Sequence, residues 1–199
     1  MPTPENALTK RREPFKFMLW LLMGGSLLMF TILILFFISR STLGANGTVL
    51  LPRVFSVSTV VILLSSVTLH FANIAFKKDN YGQYRLLLGS TLVLGLVFVV
   101  MQATGWKQIA DASSRTVERN ATGFLYLISG LHLLHILIGI YYLAKAFFEA
   151  LRRTEYVESF VYSVNPPNQL KLRLYTTFWH FVDVLWLIVF AFLWLQQGR

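Results

Sequence analysis

Five residues of the 199-residue sequence set a titratable side chain inside an apolar stretch: His70, His132, His135, His180 and Asp183. Imidazole and carboxylate are groups that relay protons, bind metals and ligate haem. His132 and His135 are three residues apart, as are His180 and Asp183, so on a helix each pair shares a face. A contact between the two helices would then let an imidazole satisfy the carboxylate. Trp179, Asp183 and Trp186 follow at i, i+4 and i+7, which aims two indole N–H groups at the same carboxylate. Two roles are open to such a cluster: a proton relay or metal site, or a set of interhelical hydrogen bonds that fix packing. Packing is the expectation, because no other acidic residue lies in an apolar run. A pump or carrier needs more than one titrating carboxylate along its path. Bis-imidazole haem ligation would need a histidine on each of two facing helices at matching depth, and His70 and His180 roughly meet that condition without a second pair to accompany them. With no cysteine, disulfides, thiolate metal sites and covalently attached haem are excluded.

The elements that position these residues are legible in the charge pattern. Hydrophobic residues make up 55% of the chain and charged ones only 14%, against about a quarter in a soluble domain. Cutting at every charge leaves long runs at 17–39, 54–76, 86–106, 120–144 and 174–198, the last interrupted by Asp183. A hydrocarbon core is crossed by about 20 apolar residues of helix. The expected fold is therefore all-α, a polytopic membrane protein of five transmembrane helices at about 15–39, 54–76, 86–106, 120–148 and 172–196. A secreted globule, a nucleic-acid binder and a soluble enzyme are poor readings. The first run is too long for a signal-peptide core and ends without a small-residue cleavage pattern.

The net charge of +9 is distributed between the runs, with about twice as many basic residues on the side of the N-terminus as on the other. That predicts a cytoplasmic N-terminus and an outer C-terminus. Residues 1–14 read as a cytoplasmic tail and 15–199 as one five-helix membrane domain. By depth, His132, His135 and Asp183 fall near the midplane, and His70 and His180 about one turn toward the cytoplasm. The short link 77–85 predicts an antiparallel hairpin of the second and third helices. In the link 145–173, the first part, to about Glu158, is expected to prolong the fourth helix, with Pro166-Pro167 as a breaker. Gly24-Gly25 permits close helix contact but reads more simply as ordinary membrane-helix glycine. Ser65, Ser66 and Thr68 suit close helix approach, and Trp20, Trp106 and Trp194 suit interfacial anchoring.

Residues 179–186, WHFVDVLW, closely resemble the last-helix signature of subunit III of the haem–copper terminal oxidases. Residues 129–139, SGLHLLHILIG, resemble that family's penultimate-helix pattern of Gly130, two histidines and Gly139. Residues 65–72, SSVTLHFA, and 94–106, LGLVFVVMQATGW with Gln102, are similar to the two preceding family segments. The matches run in order over about three quarters of the chain, and five helices resemble the short bacterial form. Two departures stand out: Gly105 where members often carry a Glu after the Gln, and no carboxylate in the run 54–76.

The resemblance implies an accessory subunit without haem or copper of its own, those groups residing in partner subunits. In the family, subunit III packs on subunit I, in a complex that also holds subunit II, binds phospholipid in a cleft, and supports proton uptake. The complex passes electrons from cytochrome c or quinol to dioxygen and pumps protons. The implied location is a bacterial inner membrane, with no nucleic-acid partner. His132, His135, His180 and Asp183 would form a structural polar cluster, and Trp179, Trp186, Ser65, Ser66, Gln102, Gly130 and Gly139 would be packing residues. Removing Asp183 is then expected to weaken association with subunit I or thermal stability. A quinol oxidase or an accessory protein of nitric oxide reductase is the alternative, with an independent small transporter or membrane cytochrome b behind it.

Overall fold

The computed structural model describes residues 13–42, 51–113, 119–153 and 155–196. These form six helices: α1 (Glu13–Thr42), α2 (Arg53–Lys77), α3 (Tyr81–Ser113), α4 (Arg119–Arg152), α5 (Tyr156–Val164) and α6 (Pro166–Gln196). All but α5 are long and apolar enough to cross a membrane, and the chain is a multi-pass membrane protein. The 1–12 tail and the C-terminal 197–199 lie outside the described residues.

Every spanning helix outruns its charge-free run. α2, at 25 residues, is the shortest, and at 1.5 Å per residue it is about 37 Å long against roughly 30 Å of hydrocarbon. Charge marks where the hydrocarbon ends, and the backbone stays helical into the headgroup layer, which is why α3 continues to Ser113. α6 starts earlier than expected, at Pro166. Proline lacks the N–H that the first turn leaves unused, so Pro166-Pro167 opens a helix instead of breaking one. The expected prolongation of the fourth helix to Glu158 is corrected. α4 stops at Arg152, and the carbonyl of Arg153 accepts bonds from Ser159 Oγ (2.8 Å) and Arg85 (3.1 Å) before α5 begins.

α2 and α3 form the expected hairpin through a tight turn in which Asp79 takes a left-handed backbone (φ 57°) and its carboxylate accepts the Tyr81 hydroxyl at 2.8 Å. α3 packs on α4, α4 on α6, and α6 returns to α2, closing a ring of four helices against which α1 lies at the α4 and α6 side. The core inside the ring is Phe55, Ile62 and Leu69 of α2, Leu88 and Phe98 of α3, Leu125, Ile128 and Ile136 of α4, and Trp179, Val182 and Trp186 of α6. Trp179 is seated against glycines on two helices. A Cβ added to Gly95 on α3 or to Gly139 on α4 would stand 2.9 Å from the indole in both cases. Phe55 is seated the same way, 2.6 Å from a Cβ at Gly105. Gly24 and Gly25 face outward with nothing within 4 Å, so they make no close helix contact.

Candidate functional site

The polar residues singled out above lie on the seams of the ring, and α2 carries most of their partners. Trp186 Nε1 donates to Thr59 Oγ1 (3.0 Å) and Trp179 Nε1 to Ser65 Oγ (3.1 Å). Ser66 Oγ lies 2.6 Å from His180 Nδ1, and Asn73 Nδ2 donates to Thr176 Oγ1 at 3.0 Å. The four bonds run along one α2–α6 seam. On the α2–α3 side, Thr68 meets Thr91 (2.8 Å) and Gln102 Nε2 donates to Ser58 (3.2 Å). Trp106 Nε1 donates to Ser129 (3.0 Å), joining α3 to α4. Each such interhelical bond contributes on average about 0.6 kcal/mol in a membrane, because the separated helices find other partners.

The indoles of Trp179 and Trp186 therefore do not donate to Asp183. They reach sideways to hydroxyls on α2, while neither oxygen of the buried Asp183 carboxylate has a hydrogen-bond partner among the described residues. Ser66 stands beside it, with its hydroxyl 2.6 Å from His180 Nδ1.

The expected imidazole–carboxylate contact between the last two spans is likewise absent among the described residues. His132 is fully buried, its ring 4.8 Å from Trp186 and 6.0 Å from Phe98, and neither nitrogen is bonded to a described residue. His135 turns to α1, with Nε2 2.9 Å from Ser26 Oγ and Nδ1 2.8 Å from the Leu131 carbonyl. Three residues of helix leave about 60° between two side chains, enough to send one into the ring and the other to α1. Gly130 lies 3.7 Å, by its Cβ position, from Trp106, an ordinary contact that a methyl would satisfy.

His70 and His180 are neighbours on the same seam, not opposed ligands across a gap. His70 is exposed, and Nδ1 of His180 is taken by Ser66. No group of three or more His, Asp or Glu residues among those described is placed to hold a metal.

Sequence reasoning missed Ser26, Thr59 and Asn73, and the interhelical partners of Ser129 and Gly95. Small polar residues and glycines are common in apolar helices, and nothing local to them names a partner on another helix.

The sequence profile of cytochrome c oxidase subunit III matches residues 22–197, a stretch that takes in the whole ring and most of α1. The chain belongs to that family. Among its curated relatives is a probable cytochrome c oxidase subunit 3 of Rickettsia bellii, 29% identical over 139 residues, 70% of this chain and 47% of the relative. The cytochrome c oxidase subunit 3 of Bacillus subtilis is 25% identical, covering 89% and 84% of the two chains. The cytochrome bo(3) ubiquinol oxidase subunit 3 of Buchnera aphidicola is 22% identical, covering 90% and 93%. The chain thus spans about half the length of the rickettsial members of the subunit III family and most of the length of the last two.

Proposed function

We propose that this chain is subunit III of a bacterial haem–copper respiratory oxidase. It packs on catalytic subunit I in a complex with subunit II, holds phospholipid and supports proton uptake. The observation that carries this reading is the family match over residues 22–197, which runs through all five membrane-length helices. The site geometry supports it from the chemical side. Two histidines are committed to Ser26 and Ser66, and a third lies against Trp186, which suits helix packing and leaves electron transfer to haem and copper in the partner subunits. A phospholipid role is supported by an open cavity of about 470 Å³ at the α2–α3 turn, walled in part by Lys78, Arg85 and Tyr156. It places cations beside an aromatic at the end of two spans, where lipid phosphates lie. On this reading the chain sits in the inner membrane with its N-terminus cytoplasmic, as its basic residues are distributed.

The test is purification of a tagged copy from native membranes in mild detergent, followed by mass spectrometry. Recovery of a large haem–copper subunit at near equal amounts supports the reading. Recovery of the intact, folded chain by itself overturns it. A second reading, membership of a quinol oxidase, is favoured by the alignment over 93% of the Buchnera ubiquinol oxidase subunit. The same preparation separates the two by whether its subunit II carries copper.

A further inference from the structure

We infer that the α2–α6 seam at His70 is the docking site for a transmembrane helix of the catalytic subunit, one that presents a hydroxyl, amide or carboxyl to that imidazole. The inference rests on the reading of the chain as subunit III and assigns the face by which it binds.

Ser66, His70, Asn73 and Lys77 follow at i, i+4, i+7 and i+11, a single stripe along α2. Two members of the stripe are used within the chain, Ser66 by His180 and Asn73 by Thr176. His70 lies between them, is exposed, and makes no hydrogen bond to any described residue, its ring centroid 6.0 Å from that of Phe71. The half-buried His180 is close enough for the two imidazoles to interact electrostatically.

His70 stands seven residues from Lys77, about 10 Å inside the charged end of the helix, farther than an imidazole can reach back to water. Histidine at such depth almost always faces protein or a wet cavity, since hydrocarbon offers neither donor nor acceptor. Outward hydroxyls elsewhere need no such partner. Thr31 donates to the Leu27 carbonyl, Ser90 to Leu86 and Thr104 to Met101, each within its own helix. An imidazole can fold back too, as His135 Nδ1 does to the Leu131 carbonyl (2.8 Å), but His70 makes no such bond among the described residues, so of these outward groups it is His70 that calls for a side chain from outside the chain.

The absence of cysteine makes the test direct. Single variants His70→Cys, Val93→Cys on α3 and Leu35→Cys on α1, all at exposed positions, are carried in the complete complex and labelled with a short thiol-reactive photocrosslinker. The expected result is an adduct with the catalytic subunit from the His70→Cys variant and none from the α3 control. In parallel, His70→Leu lowers retention of the chain through a detergent wash about threefold, the worth of one interhelical hydrogen bond, and His70→Gln restores part of it. Recovery of the catalytic subunit with adducts from position 93 or 35 but not 70 overturns this face while leaving the subunit III reading intact. An adduct from the His70→Cys variant to a second copy of this chain overturns the choice of occupant. Failure of any catalytic subunit to co-purify overturns the reading and the inference together.

Discussion

Trp179 offers the sharpest test of the packing, because two helices leave room for one ring. The side chain is 1% exposed and its N–H is bonded to Ser65 at 3.1 Å. A methyl at Gly95 would stand 2.9 Å from Cη2 and one at Gly139 2.9 Å from Cε3, against about 3.5–4.0 Å for an ordinary carbon contact. In either single alanine variant the indole can move off the new methyl toward the remaining glycine. Overpacking of this kind costs about 1–3 kcal/mol, offset by about 1 kcal/mol of helix propensity gained over glycine. Each single variant should therefore lose roughly 0–2 kcal/mol.

The double variant Gly95→Ala with Gly139→Ala closes both directions. The ring must then leave its place and give up the bond to Ser65. The loss should exceed the sum of the singles by about 1–2 kcal/mol, within the range seen for residues that share a partner. The measurement is a double-mutant cycle of unfolding in mixed detergent, followed by far-ultraviolet circular dichroism and tryptophan fluorescence. Additivity within about 0.5 kcal/mol would refute the shared-ring argument. Repeating the cycle in Trp179→Leu should abolish the coupling.

Trp186→Phe removes the bond to Thr59 while keeping an aromatic ring against His132, and Thr59 retains its own bond to the Phe55 carbonyl. A loss of about 0.6 kcal/mol in the same unfolding assay is expected, and one above 2 kcal/mol would mean that the indole does more than bridge two helices. At the end of α4, Tyr162 donates to Glu149 at 2.8 Å, and burial, followed by that carboxylate, pushes the phenol from 10.0 up to about 12. The folded chain then holds the proton more tightly than the unfolded one, so this contribution is complete below pH 10 and lost as pH rises toward 12. Tyr162→Phe should flatten that arm of a plot of unfolding midpoint against pH. Asp183→Asn keeps the shape and loses no hydrogen bond among the described residues, so the unfolding midpoint of the isolated chain should stay unchanged. A fall of several degrees would show that a donor does reach the carboxylate.

The spans were legible because hydrocarbon imposes one rule on every helix, about 20 residues without charge. Where helices start and stop was less so, since helix continues past the hydrocarbon and Pro166 serves equally as breaker or first residue. The residues of the site could be picked out as polar groups in apolar runs. Their pairing could not. Spacing along one helix told that Trp179, Asp183 and Trp186 share a stripe, but the hydroxyls of Thr59 and Ser65 that receive the indoles lie more than a hundred residues away in sequence. The same limit hid Gly95, whose role exists only because Trp179 arrives from another helix.

The polar groups of the ring divide in a way that bears on what they are for. Trp179, Trp186, His135 and His180 each have an in-chain partner, and each adds to the cohesion of the helices it joins. Asp183, His132 and the Gln102 carbonyl are buried without one among the described residues, and a buried polar atom left unpaired costs about 1–3 kcal/mol. Groups of the first kind account for themselves through the fold. Those of the second kind weaken the chain in isolation, and apolar residues of similar volume would pack at least as well. The loss on removing Asp183 that the sequence led one to expect is therefore to be sought in association with the oxidase and not in the melting of the chain. Comparing Asp183→Asn in the isolated chain and in the assembled complex separates the two: unchanged melting with reduced retention places the contribution of this carboxyl at the level of the assembly.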